Sequence, residues 1–493
     1  MPDGRIVIVG GGITGLSAAR AALARAREAA RDVTVTVVER SPRFGGNLVT
    51  EQRGGFLLDG GADSWVTSKP HASALARELG LEKSLVATNE ATRRYYIAKG
   101  DRLHAVPEGL VLGVPTRLWP LAMTRLFSWS GKARMALEPF VPRKRFEGDE
   151  DESIADFAAR RLGREAADRL VAPLLGGISA GDAADVSVRA AFPQLAAMEQ
   201  TYGSLTMGMR ATQRERRAKA AEAKRAGKAS RAEPSAFVSL EGGMGALVAA
   251  LVERLGTQGA VLRTSAGARK VDRRGPGWIV ELDSGETLEA DRVLLAAPAH
   301  VSAHLLRDAD GALADALGEV RYVSTATAFL AYEAAQVQEK LDGVGFVVPP
   351  ALGRPILAGT WVSSKWSGRA PEGHVLLRVF FGGAGREAIL QEDDAALAAL
   401  GHRELGRWMK LAGEPAWSRV FRFDGARPQM RVGHLAAMRR IRALAGSAVK
   451  GVRIAAGGFD GDGIPDCVRQ GEEAGRGMVD ELAIRLGGEP PPA

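Results

Sequence analysis

Residues 5–19, Arg5-Ile-Val-Ile-Val-Gly10-Gly11-Gly12-Ile13-Thr14-Gly15-Leu16-Ser17-Ala18-Ala19, decide the fold. Ile6 to Val9 is a short unbroken apolar run, the pattern of a parallel strand buried on both faces, and the Ala-rich segment from Leu16 reads as a helix. The glycines therefore fall at a strand-to-helix turn. Gly10 permits the tight turn, Gly12 lets the backbone approach a pyrophosphate, and Gly15 lets helix and strand pack closely. The helix N-terminus, with Gly11, Ile13 and Thr14, presents free N–H groups and a partial positive charge to phosphates. A second strand, Val33 to Val38, ends on Glu39, 24 positions after Gly15, where a carboxylate accepts ribose hydroxyls and repels a 2′-phosphate. Strand, turn, helix, strand and acid in register predict a dinucleotide site for FAD or NAD rather than NADP. An ordinary βαβ unit with a solvated Glu39 is the alternative.

At 493 residues the chain is long enough for two or three domains, and its 46% hydrophobic and 25% charged residues exclude disorder for most of it. The single cysteine, Cys467, excludes an internal disulfide or a multi-cysteine metal site and fits a reducing compartment. The first residues run straight into the first strand without the basic, apolar and small-residue regions of an export signal. The expected location is the cytoplasm. The formal charge of +8 is concentrated: residues 210–231 hold nine Lys/Arg and two Glu, a local +7. Such a run is a solvated helix or a mobile insertion, with attraction to an anionic membrane surface as its secondary reading. No nucleic-acid module accompanies it.

Further on, Ser41-Pro-Arg43-Phe44-Gly45-Gly46-Asn47 pairs a basic residue with two glycines, as a close approach to the cofactor or a plain surface turn would require. A second glycine loop follows at Asp59-Gly60-Gly61-Ala62-Asp63-Ser64, then a helix from His71. Between Leu118 and Trp129, aromatic and aliphatic residues flanked by Lys132 and Arg134 suit a helix lying in a membrane interface or one packed in a helical domain. Residues 153–209 are helical in pattern, broken at Gly176-Gly177-Ile178-Ser179-Ala180-Gly181. Residues 278–298 read as a hairpin feeding a buried strand, and 320–385 as the strands of a second sheet. His300 and His304, at i and i+4, lack the third ligand of a zinc site, so no metal is expected. At the end, Val452-Arg-Ile-Ala-Ala-Gly457-Gly458 and Gly463-Ile464-Pro465-Asp466 form a strand, a glycine turn and a helix with proline near its start. The expected division is a cofactor domain from 1–90, 235–305 and 441–493, a helical domain at 91–210, a basic mobile insertion at 211–234 and a substrate domain at 306–440.

Together these pieces resemble the porphyrinogen oxidases of haem biosynthesis, within the glucose-inhibited-division/amine-oxidase class of FAD proteins. Gly10 to Glu39 with Arg43-Phe-Gly-Gly46, then Gly177-Ile-Ser-Ala-Gly181-Asp182, then Gly463-Ile-Pro-Asp-Cys467 carry the likeness over nearly the whole chain. The chain is similar to the coproporphyrinogen III branch at Gly61-Ala62-Asp63-Ser64, Gly113-Val-Pro-Thr, Leu126 to Arg134, Gly359-Thr-Trp361 with Lys365-Trp366, and Ala370-Pro-Glu-Gly373. It departs from the family at Ala62, usually proline, and at Asp462, usually a small apolar residue.

The resemblance implies an α/β fold: a Rossmann-like FAD domain of the glutathione reductase/amine oxidase type, an inserted α+β substrate domain and a helical, membrane-associating domain. It implies a six-electron oxidation of a porphyrinogen in three hydride transfers to FAD, with O₂ as acceptor and H₂O₂ as by-product, the protein supplying binding and orientation. It further implies cofactor contacts at Arg40, Arg43, Gly45, Gly46, Asn47, Gly61, Ala62, Asp63, Ser64, Ala268, Gly463, Ile464 and Pro465, besides Gly10 to Gly15 and Glu39. Apolar walls come from Val344, Val347 and Phe380, the alternative for each being core packing. The Gly177 carbonyl faces pyrrole N–H groups. Asp63 orients or accepts a pyrrolic proton or is a hydrogen-bonded loop acid, and Lys69 binds a propionate or is solvated. Protoporphyrinogen IX is the alternative substrate, another flavin oxidase or desaturase the alternative activity, and a ferrochelatase the partner that would receive the product.

Overall fold

A computed structural model describes residues 3–92, 94–225 and 235–485. Strand β1 (Gly4–Val9) runs into helix α1 (Ile13–Glu28) and returns through β2 (Val33–Val38). β1 is central in a parallel five-stranded sheet ordered Val261–Arg263, β2, β1, Arg292–Leu295, Val452–Ile454. The hairpin at Gly277–Ala290 does feed the buried Arg292–Leu295 strand into this sheet. Ile6 and Ile8 are buried on one face with Leu16 and Val468, and Val7 and Val9 on the other with Val280 and Leu317. Both faces are covered, which is why the strand reads as a continuous apolar run.

The C-terminal helix (Ile464–Arg485) lies parallel to α1 at backbone contact. A Cβ on Gly471 would fall 2.2 Å from the Thr14 carbonyl oxygen, and one on Gly475 2.2 Å from that of Ala18. The two helices can approach only because these positions lack side chains, so their N-termini point toward one site.

The second sheet has seven strands. β3 (Tyr322–Glu333), β4 (Gly343–Val347), β5 (Ile356–Trp361), β6 (His374–Gly382) and β7 (Trp417–Pro428) stand in the order β7-β3-β6-β5-β4, continued by Arg94–Lys99 and Arg102–Ala105. Leu377, Val379 and Phe381 of β6 turn to a core with Trp361 and Leu405. Leu376, Arg378 and Phe380, in the alternate positions, face the nucleotide-binding half.

Three expected boundaries change. Residues 94–105 extend the substrate sheet, with Tyr95-Tyr96-Ile97 pairing parallel to β4, so the helical region begins beyond them. The basic run is, as far as Arg225, the continuation of one helix, Leu205–Arg225; residues 226–231 lie outside the described residues. The helix Gly311–Gly318 and the first half of His434–Ala448, expected in the substrate domain, place Leu313, Leu317 and Met438 in the nucleotide-domain core beside Val293. β7 has no counterpart in the sequence reading, although Trp417, Arg419, Phe421 and Phe423 alternate at strand spacing.

Candidate cofactor and substrate site

The strand-to-helix turn is a cradle made of backbone. Gly10 has φ +111° and a Cβ there would lie 2.5 Å from the Ala296 carbonyl oxygen; a Cβ on Gly15 would lie 2.0 Å from the Gly10 carbonyl oxygen. Gly12 differs: its side-chain direction is open, and no side chain caps the first turn of α1. The Gly45-Gly46 turn pairs with this loop through a Gly45 N–H to Gly11 carbonyl bond of 2.8 Å, and a Cβ on Gly46 would lie 3.3 Å from the Gly12 Cα. An uncapped helix N-terminus beneath two glycine turns is a fit for a pyrophosphate.

Glu39 stands where expected, at the end of β2. Its Oε2 accepts the Gly11 N–H at 2.7 Å and its Oε1 the Ser41 N–H at 2.8 Å, so the carboxylate also shapes the loop. An acceptor position on Oε2 is left for a ribose hydroxyl. Arg43 braces the second turn by donating to the carbonyls of Gly46, at 2.7 Å, Phe44 and Leu48. Arg40 reaches outward to the Ala268 carbonyl at 3.4 Å, which joins the loop to the neighbouring three-stranded sheet. Asn47 abuts Gly61, where a Cβ would lie 1.9 Å from the Asn47 carbonyl oxygen. A cleft of about 430 Å³, lined by Arg43, Asn47, Phe421 and Phe423 among others, separates this loop from β7.

The Gly60–Ser64 loop is tied to the substrate sheet. Arg378 donates through Nη2 to the carbonyls of Gly60 and Gly61 at 2.5 and 2.7 Å, and Thr327 Oγ1 donates to Gly60 at 3.0 Å. Asp63 accepts from Lys365 Nζ at 2.8 Å, Trp366 Nε1 at 3.1 Å and Ser64 Oγ at 2.7 Å. Asp59, Asp63, Arg369 and Arg378 pack with Phe329, Val362 and Trp366 with no room for a water molecule between them. Burial alone would raise the Asp63 carboxyl, but the Lys365 ammonium and the Arg378 guanidinium more than offset it and hold the group well below the usual carboxylate range. Burial pushes Arg378 down to about 10, with Asp63 and Asp59 opposing. Asp63 is thus a held anion and a poor base, which favours the hydrogen-bonded loop acid among its expected readings over the proton acceptor. Only Ala62, at the loop's apex, is exposed.

Lys69, expected to bind a propionate or to be solvated, meets an acid instead. Its ammonium sits 2.6 and 2.7 Å from the two carboxylate oxygens of Asp466, in the first turn of the C-terminal helix beside Gly463, Ile464 and Pro465, and is thereby committed to the cofactor segment.

Of the three residues expected as walls, Val347 and Phe380 share one row of the sheet and Val344 does not. Register places Val347 of β4, Ala358 of β5, Phe380 of β6, Thr327 of β3 and Phe421 of β7 in one row across the sheet. Its Phe421 end meets the cofactor loop, where a Cβ on Gly60 would lie 2.6 Å from the Phe421 ring. At its other end, the helix Ala172–Ser179 brings Gly177 so close that a Cβ there would lie 3.4 Å from Val347 Cγ1. The Gly177 carbonyl accepts the Ala180 N–H at 3.3 Å, leaving one lone pair. Val344 falls in the bulge between Gly343 and Gly345, out of the row. Sequence reasoning assigned no role to Lys365, Trp366, Arg369, Arg378 or Arg427. The available signal for Arg378 was a lone cation inside the apolar run Val375 to Phe381.

Comparison with known proteins agrees with this cradle. The flavin containing amine oxidoreductase family matches residues 13–478. The chain belongs to that family. It is an oxidoreductase whose cofactor is a flavin, and the dinucleotide cradle makes that flavin FAD. It is 36% identical over 478 residues to a coproporphyrinogen III oxidase of Bacillus subtilis, covering 96% of this chain and 98% of the relative. It is 29% identical to the chloroplastic protoporphyrinogen oxidase 1 of Arabidopsis thaliana, covering 87% of this chain and 79% of that one. A crystal structure from Exiguobacterium sp. 255-15, provisionally described as a protoporphyrinogen oxidase, superposes with a TM-score of 0.83 at 31% identity, covering 98% of this chain and all of that one. Among the described residues no group of three or more His, Cys, Asp and Glu is placed to hold a metal ion, and His300 packs edge-on against Tyr322 at 5.0 Å.

Proposed function

We propose that this enzyme oxidises coproporphyrinogen III to coproporphyrin III. The carrying observation is the apolar row Val347, Ala358, Phe380, running from the Gly177 turn to the cofactor loop, in a chain alignable end to end with a coproporphyrinogen III oxidase. The conversion removes six electrons and six protons, and three O₂ become three H₂O₂. The flavin, when bound, supplies the two-electron acceptor for each step. The chain's residues bind, orient and exclude water: the row offers a flat apolar wall to a macrocycle, and the Gly177 turn offers a carbonyl to a pyrrole N–H. Arg378 and Lys365 hold the Gly60–Ser64 loop at fixed distance from that wall.

Leu118, Trp119, Met123, Trp129 and Phe140 are exposed, from 54% to 81%, in a region that also exposes Arg117 and Arg125. This supports peripheral attachment to an anionic membrane surface on its cytoplasmic side. No helix among the described residues is long and apolar enough to cross a membrane. The product is a free-base porphyrin, the substrate class of a ferrochelatase, to which it would be handed on.

The test is parallel aerobic turnover of coproporphyrinogen III and protoporphyrinogen IX by the FAD-loaded enzyme, followed by porphyrin fluorescence and peroxide release. A higher kcat/KM for coproporphyrinogen III, with three peroxides per porphyrin, is expected. A preference for protoporphyrinogen IX overturns the substrate, and no porphyrin from either overturns the reaction.

A further inference from the structure

Asp462 has no part in the reading above. It lies in the turn between the strand Val452–Ile454 and the C-terminal helix, facing the backbone of Gly457, where a Cβ would fall 2.8 Å from its Oδ1. Arg427, at the end of β7, places Nη1 2.9 Å from the Asp462 carboxylate. Its other terminal nitrogen, Nη2, donates to the Ile178 carbonyl at 2.5 Å. One guanidinium thus joins the cofactor domain to the turn holding Gly177. Gln429, two residues on, donates to the Ser179 carbonyl at 3.2 Å and braces the same turn.

The neighbouring acid is treated differently. Asp466, 12% exposed, is neutralised by half-exposed Lys69 of the same half of the molecule. Asp462 is 20% exposed, and its counter-charge arrives from another domain. Burial raises its carboxyl, Arg427 opposes the rise, and Asp466 adds to it. Tyr322, Cys467 and Asp466 are its other titratable neighbours, and burial holds Tyr322 and Cys467 neutral at about 12.

The helix register locates the pair relative to the cofactor. Gly471 lies against Thr14 in the first turn of α1, so the C-terminal helix projects six residues, ~9 Å at 1.5 Å per residue, beyond the pyrophosphate-binding end of α1. Gly463–Pro465, expected as cofactor contacts, lie at this projecting end, beside Asp462.

Resting on that reading, we propose that Asp462 and Arg427 are positioning residues that bias the flavin's reduction in opposite directions, and that Arg427 transmits the state of the substrate-side turn to the cofactor. A fixed carboxylate disfavours electrons added to the ring, and a guanidinium favours them. The potential is then set by the balance of these two opposed charges.

The test is the midpoint potential of bound FAD, measured without substrate by dye equilibration at pH 8.5, well above the carboxylate range. Asp462→Asn and Asp462→Val are expected to favour the reduced form at least tenfold, a rise of ~30 mV for a two-electron couple. Arg427→Met is expected to shift the equilibrium tenfold the other way, with Arg427→Lys restoring it and the double variant lying near the parent. Arg427→Met should also raise KM at least threefold, while Asp462→Asn leaves KM unchanged. Shifts of the same sign in both single variants, or none while each binds FAD stoichiometrically, overturn the proposal. Failure of the parent enzyme to bind FAD or form porphyrin is a separate outcome, which overturns the function instead.

Discussion

Asp63 and Lys365 lie 302 positions apart in the chain, yet the Lys365 ammonium sits 2.8 Å from one Asp63 oxygen and 3.0 Å from the other. Each side chain is less than one-fifth exposed. The pair joins the cofactor loop to the substrate sheet, and Trp366 and Ser64 complete the carboxylate's hydrogen bonds.

Removing one partner of such a pair leaves the other charge unmatched, so Asp63→Asn is expected to cost about 3 kcal/mol at pH 7 by chemical denaturation. The folded carboxyl is held below its unfolded value of about 4. Its contribution is therefore fully present above pH 4 and is lost as pH falls further, because the unfolded chain takes up the proton first. The stability gap between parent and Asp63→Asn should narrow from pH 7 to pH 3; a gap that stays constant would show that the carboxyl is not held charged.

Glycines of one motif should fail in different ways. Gly12→Val places its side chain in open space at an ordinary φ of −71°, so the melting temperature of the apoprotein should stay within a few degrees while FAD affinity falls more than a hundredfold. Gly15→Ala must displace the Gly10 carbonyl and should lower apoprotein stability by 3 kcal/mol or more, roughly the upper range for overpacking. Fluorescence titration with FAD and calorimetry of the apoprotein separate the two.

Arg378→Met leaves the Gly61 carbonyl without its donor and Asp63 with one cation fewer. FAD release should accelerate about tenfold or more, as expected from the loss of a charge-assisted hydrogen bond worth about 1.5–3 kcal/mol. Stopped-flow transfer of FAD to an excess of an apoflavodoxin-type acceptor reads this rate directly.

Lys69→Ala should change KM for the porphyrinogen less than twofold, because its ammonium is committed to Asp466. Steady-state kinetics on coproporphyrinogen III decide it, and a tenfold rise in KM would return Lys69 to the propionate.

Trp119→Ser with Phe140→Ser removes two side chains that are 75% and 81% exposed. Partition onto vesicles with phosphatidylglycerol should drop at least tenfold in a sedimentation assay, with turnover of dissolved substrate unchanged. Raising salt should weaken parent binding by screening the surrounding arginines.

How far the sequence could be read follows from the range of the interactions involved. Gly10, Gly12, Gly15 and Glu39 were legible because a strand, a turn and a helix N-terminus are local, and their requirements repeat at short spacing. The same holds for the apolar strands around Phe380, whose period of two survives in the sequence. Arg43, expected as a cofactor contact, donates to carbonyls of its own turn, a local role the sequence reading did not give it.

By itself, the sequence determined the dinucleotide unit, the four strands of the second sheet between Tyr322 and Gly382, and the glycine turns, all specified by residues near one another in the chain. Tertiary structure alone decided that Asp63 belongs to Lys365, Lys69 to Asp466, and Arg427 to both Asp462 and Ile178. It also decided that residues 94–105 close the substrate sheet rather than open the helical domain. A charge carries no mark of its partner in the sequence. Which opposite charge it meets depends on how the domains dock, and docking is set by buried surface summed over the whole interface, not by any local pattern.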